Sequence, residues 1–144
     1  MKIRNGFVSN SSSSSFIVIM KNGQKMTKET LLETFDVKKT SPLYGFSNDL
    51  SKWIMNNVKE MDIKGIYENY VGHLDTNLSI EEIIEEIVED SGINKEKLKK
   101  VANKEIRYYE GSASSESGDA LEYYLYEGGL NIETDSIKIE SGDN

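Results

Sequence analysis

The chain has 144 residues, 17 Lys and Arg against 25 Asp and Glu, a formal net charge of −8 and no cysteine. That length predicts a single domain over residues 1–144, large enough to bury a real core. The acidity argues against direct nucleic-acid binding, which draws its affinity from Lys and Arg on phosphates. The missing cysteine excludes disulfides, thiolate zinc sites and cysteine nucleophiles, and fits a cytoplasmic setting.

In chain order, the opening comes first. Gly6-Phe7-Val8 stands before Ser9-Asn10 and the run Ser11–Ser15, and Phe16-Ile17-Val18-Ile19-Met20 follows at once. A serine run alone buries too little apolar surface to repay its ordering entropy. Apolar residues on both sides fit a pinned segment better, so residues 1–15 are expected to form an arm or latch. Consecutive Ser and Asn groups can also shape a concave donor surface for an anion or a carbonyl. Lys2 and Arg4 precede an apolar block as in a signal peptide. Phe16–Met20 is too short for that role, and no small-residue cleavage site follows. No stretch approaches the length of a membrane span.

The string Arg4-Asn5-Gly6-Phe7-Val8-Ser9-Asn10, five serines and Phe16 resembles the start of a family of small uncharacterised proteins, many carried by bacteriophages and other mobile elements. The stretch from Gly111 to Glu122, with Ser112, Ser114, Ser115 and Ser117, is similar to a second part of that pattern. The resemblance covers about the first 20 residues. It implies a phage or prophage origin and no particular reaction.

Phe16–Met20 reads as a strand buried on both faces, because its apolar run is continuous. Lys21–Gln24 is a turn around Asn22-Gly23. Thr27 caps a short helix through Phe35, with Leu31, Leu32 and Phe35 on one face. Asp36–Gly45 is a connection holding the only proline, Pro42. Ser47 or Asn48 caps a helix to about Met61, striped by Leu50, Trp53, Ile54 and Val58. Trp53, the lone tryptophan, is expected in the core. A helix or turn follows from Ile63 to Val71.

Ser79-Ile80-Glu81-Glu82 has the spacing of a capping box. The helix it opens runs to Ser91-Gly92, with Ile80, Ile83, Ile84, Ile87 and Val88 on one face. Glu81, Glu82, Glu85, Glu86, Glu89 and Asp90 lie on the other. Asn94 opens a basic helix from Lys95 to Lys100, extendable to Ala102. Glu105–Glu110 reads as a strand, Ser112–Gly118 as a loop, and Asp119–Tyr126 as a helix ended by Gly128-Gly129. Ala120, Leu121, Tyr124 and Leu125 form the expected inner face of that helix. Ser136–Glu140 alternates as a last strand.

The sum is an α+β domain: a sheet of about three strands centred on Phe16–Met20, with helices on one face. If the strand at 105–110, the helix at 119–126 and the strand at 136–140 form a βαβ unit, the two strands are parallel and the crossover is right-handed.

Three places could carry function. The loop Gly111–Asp119 runs from a strand end into a helix start, where unpaired N–H groups favour an anion. It lacks the Gly-Lys-Ser/Thr of a phosphate-cradling loop, and Glu116 and Asp119 would repel a phosphate. Its other reading is a helix cap made by Ser117 or Asp119. Second, if the strands holding the two serine stretches are antiparallel neighbours, Arg4, Asn10, Ser11, Ser12 and Ser13 meet Ser112, Ser114, Ser115 and Ser117. Arg4 would then pair with Glu116, Asp119 or Glu122 as a latch, or line a polar pocket. Third, the acidic helix face could imitate a line of phosphates and occupy a basic groove on a partner. Its other reading is a solvated face balanced by Lys95, Lys97, Lys99 and Lys100.

No catalytic residue is assigned. His73 is the only histidine, no Gly-x-Ser-x-Gly elbow is present, and no metal or cofactor site is expected from one histidine and scattered carboxylates. Tyr108, Tyr109, Tyr123, Tyr124 and Tyr126 read as core and rim. Three readings stay open: a non-enzymatic phage-type accessory protein that binds a host or phage protein in the host cytoplasm, a phosphate or nucleotide binder or weak hydrolase using the two serine loops, and a virion or assembly component. None involves a membrane.

Overall fold

The computed structural model describes residues 13–74, 77–116 and 118–141. Among them the elements run β1 (Ser13–Met20), α1 (Lys28–Phe35), α2 (Tyr44–Asn57), β2 (Val58–Glu60), α3 (Ile63–Tyr70), α4 (Ile80–Ser91), α5 (Lys95–Ala102), β3 (Arg107–Ser114), α6 (Ala120–Tyr126), β4 (Asn131–Glu133) and β5 (Ile137–Ser141). The five strands form one sheet in the order β2-β3-β1-β5-β4, and every neighbouring pair is antiparallel. The domain is α+β, as expected, with five strands rather than about three.

β1 sits at the centre of the sheet because its alternating faces each need a cover. Phe16, Val18 and Met20 pack with Leu31 of α1, Leu50 and Ile54 of α2, Leu125 of α6, and Ile137 and Ile139 of β5. Ile17 and Ile19 point the other way, into a second cluster with Ile63 and Ile66 of α3, Ile83 and Ile87 of α4, and Leu98 of α5. The helices therefore cover both faces, which corrects the expectation of one. The continuous apolar run of β1 already required that arrangement.

β3 and β5 flank β1 and run the same way, but β1 lies between them. They do not pair as parallel neighbours in a βαβ unit. β4 is too short to show in the sequence. It forms a hairpin with β5, closed by the Thr134 N–H on the Ile137 carbonyl at 2.8 Å. β2 takes the last residues expected of the helix to Met61. The junction of α2 and β2 comes so close to β3 at Gly111 that a Cβ there would lie 2.3 Å from the Asn57 carbonyl oxygen.

Local capping follows the sequence closely. Thr27 accepts from the Thr30 N–H, Asp62 from Gly65 and Asn94 from Lys97. Ser79 and Glu82 make both halves of the capping box, and Gly92 closes α4 in the left-handed region at φ 75°. α2 is the exception. It starts at Tyr44 after Leu43, which makes no side-chain cap. Ser47 is buried inside the helix, with its hydroxyl donating to the Tyr44 carbonyl. Among the described residues no helix is long and apolar enough to cross a membrane.

Candidate functional site

The two serine stretches do meet, but as paired strands. Ser13 stands opposite Ser114, Ser14 opposite Ala113 and Ser15 opposite Ser112. β1 and β3 therefore extend beyond the apolar residues that announced them, and much of the serines' main chain serves the ladder. Ser14 is buried and donates its hydroxyl to the Tyr126 carbonyl of α6 at 3.0 Å. Arg4, Asn10, Ser11, Ser12 and Ser117 lie outside the described residues, as does the side chain of Ser13.

An internal carboxylate occupies the place where an anion was considered. Glu122 accepts from the Ser114 N–H at 2.6 Å. Asp119 caps α6 by accepting from Leu121 at 3.0 Å, and the Ser114 hydroxyl accepts from the Glu116 N–H. Two of the acids named as partners for Arg4, Asp119 and Glu122, thus already hold the α6 entry together.

The acidic face of α4 is similarly engaged. Glu82 belongs to the capping box. Glu85 pairs with Lys95 of α5. The hydrogen bond and charge of Lys95 hold the Glu85 carboxyl below its ordinary value, and Glu85 raises the Lys95 ammonium in return. Glu86 accepts from the Tyr67 hydroxyl at 3.1 Å. Glu81 and Glu85 flank a cavity of about 310 Å³ that also takes in Lys95 and Lys99, so cations interrupt the line of carboxylates there. Glu89 and Asp90 lie exposed at the C-terminal end of α4.

The feature that the sequence reading missed is an aromatic groove between α2 and α6. Phe46, Asp49 and Trp53 from α2 face Asp119, Leu121 and Tyr124 across a cleft of about 580 Å³. The Phe46 and Tyr124 rings meet edge to face at 5.9 Å, yet they stay 45% and 40% exposed. Leu43, just before α2, and Tyr123 of α6 are also exposed, at 64% and 49%. Trp53 is half-buried, with its ring edge on Phe16 at 5.7 Å. Gly129 lies so close to the Tyr124 ring that a Cβ there would stand 2.4 Å from it.

Two misplacements hid this groove. With Ser47 or Asn48 as the expected cap, Phe46 falls before the helix. With α2 beginning at Tyr44, Phe46, Asp49 and Trp53 fall at i, i+3 and i+7 on one face. Tyr124 was expected on the inner face of its helix. Leu125, expected there as well, is fully buried, but both Ala120 and Tyr124 are exposed.

Other polar centres are structural. Glu110 accepts from the Tyr108 hydroxyl at 3.2 Å and from Asn69 at 2.5 Å, tying β3 to α3. Burial, with Tyr70 and Glu110 close by, pushes the Tyr108 phenol far above its ordinary value. His73 is exposed in the connection after α3. Among the described residues no three His, Asp or Glu side chains converge as a metal site. No protein family, curated protein sequence or solved structure matches the chain at a significant level.

Proposed function

We propose that this chain is a non-enzymatic accessory protein that acts by binding another protein, and that its docking face is the α2–α6 groove rather than the acidic helix. The phage-type resemblance of the opening motif makes a host or phage protein in the host cytoplasm the expected partner. The observation that carries the reading is the exposed Phe46–Tyr124 pair over a cleft rimmed by Asp49 and Asp119. Aromatic side chains left in water around a concavity are the usual anchors of a protein interface. The two carboxylates at the rim add a preference for a partner segment that carries an apolar side chain next to a basic one. The net charge of −8 keeps nucleic acid off the same surface.

The test is affinity isolation from host cells with three forms of the chain: unaltered, Phe46→Ala with Tyr124→Ala, and Glu81→Gln with Glu89→Gln. The groove variant should lose the partner that the unaltered chain retains, and the acidic-helix variant should keep it. Loss from the acidic-helix variant alone would move the interface to α4. A partner held equally by all three forms would remove both surfaces from the account.

A further inference from the structure

We propose that the cleft between the β2–α3 junction and the α5–β3 turn binds a small organic carboxylate, with its apolar body against the cleft's apolar lining and its acid group between Lys64 and Lys104. The cleft shares no residue with the α2–α6 groove or with either serine stretch, so it stands or falls independently of the partner surface. Three observations carry it.

The first is shape. One wall comes from residues 60–64 and the other from residues 101–108. The Met61 N–H donates to the Tyr108 carbonyl at 2.8 Å and ties the two walls together. The cleft holds about 320 Å³, at the low end of the roughly 300–1,000 Å³ of small-molecule sites. That volume suits a single-ring acid better than a peptide. Buried Ile63, Val101 and Ile106 line it, with half-buried Met61 and Ala102 beside them.

The second is charge. Both carboxylates of the cleft are engaged. Glu60 accepts from the Arg107 guanidinium at 2.9 and 3.2 Å, and Asp62 accepts from the Gly65 N–H at 2.8 Å as the cap of α3. Arg107 is held in turn by the Gly23 carbonyl at 2.7 Å. Among the described residues the Lys64 and Lys104 ammonium groups make no ion pair or hydrogen bond. Three cations against two carboxylates leave the cleft with one net positive charge, in a chain of net charge −8. An anion with an apolar body answers both the lining and the free cations.

The third is backbone conformation. α5 ends in a Schellman turn: the Lys104 N–H donates to the Val101 carbonyl at 3.1 Å and the Glu105 N–H to the Lys100 carbonyl at 2.8 Å. Lys104 occupies the left-handed position of that turn, at φ 62°, where glycine is the usual residue. α4 closes on Gly92 in the same region, at φ 75°. Asp36 is the one other non-glycine residue with positive φ among those described, and aspartate tolerates that region better than lysine does. Lysine at a glycine position is local strain, and strain of this kind collects at ligand sites. Here it supplies one of the two free ammonium groups.

The test is an amide NMR titration of the full chain with 4-methylbenzoate, compared with uncharged 4-methylbenzamide and with inorganic phosphate. The carboxylate should give saturable shifts confined to the amides of residues 60–64 and 101–108. The benzamide lacks the charge and phosphate lacks the apolar body, so each should bind several-fold more weakly. Lys64→Gln and Lys104→Gly should each weaken 4-methylbenzoate about fivefold, the upper range for an exposed charge pair. Lys104→Gly should do so without lowering the melting temperature, because glycine relieves the left-handed strain; this separates a lost contact from a damaged fold. No saturable shift, shifts centred elsewhere, equal binding of the benzamide or of phosphate, or unchanged affinity in Lys104→Gly would each overturn the site.

Discussion

The two helical layers of this molecule are built on opposite terms. Within the helices on the α3–α4–α5 side the local rules agree at all but one apolar position. The capping box opens α4, Gly92 closes it, Ile83, Ile84 and Ile87 are buried while Ile80 in the first turn stays exposed, and Glu82, Glu85 and Glu86 each hold a partner within the fold. On the α1–α2–α6 side the rules are broken at one place. α2 starts without a side-chain cap, Leu43 before it is mostly exposed, and α2 and α6 leave Phe46, Tyr123 and Tyr124 each more than a third exposed. Agreement across levels marks a region selected for stability, and a local violation marks a region that keeps surface available for something else.

The largest test of that contrast is Ile87→Ala on α4. Ile87 is fully buried, so its truncation should cost about 3 kcal/mol from lost burial and a residual cavity. Urea unfolding monitored by circular dichroism reads it directly. A loss near zero would mean that the α4 layer is not a packed core. Next comes the pair Phe46→Ala and Tyr124→Ala, measured singly. Each ring is more than a third exposed, so each change should cost below about 1 kcal/mol of stability while weakening partner binding. A large stability loss would recast the groove as core.

The smallest effect is electrostatic. The Glu85 carboxyl is held below its ordinary 4.5, so its contribution is complete above that value and disappears as pH falls through the folded-state pKa. The Lys95 ammonium is raised above 10.5, so its contribution is complete below that value and disappears as pH rises through the folded-state pKa. Both groups are exposed, so salt should screen the pair. The melting-temperature gap between the unaltered chain and Glu85→Gln should be greatest between those limits and shrink in about 1 M salt. A gap that persists at high salt would mean that Glu85 acts through packing.

What the sequence disclosed tracks how local the cause is. The capping box at Ser79–Glu82, the cap at Asn94 and the apolar run Phe16–Met20 each depend on neighbours within a few residues, and all three appear where expected. The continuous run in β1 even implied layers on both faces, although only one was expected. Ser13–Ser15 gave no strand signal of their own. Their partners Ser112–Ser114 lie about a hundred positions away, and the ladder, not serine's propensity, makes them extend. β2 and β4 have three residues each, too few for a period to register. The meeting of the serine stretches was accessible by assuming antiparallel neighbours. The groove was not, because a helix cap misplaced by four or five residues took Phe46 off the face it shares with Trp53.

The most direct measurement is photo-cross-linking inside host cells, with p-benzoylphenylalanine placed at Phe46 in one form of the chain and at Glu89 in another. The account predicts a discrete cross-linked partner from position 46 and none from position 89. A partner captured from position 89 and absent from position 46 would contradict it, and would return the function to the acidic helix.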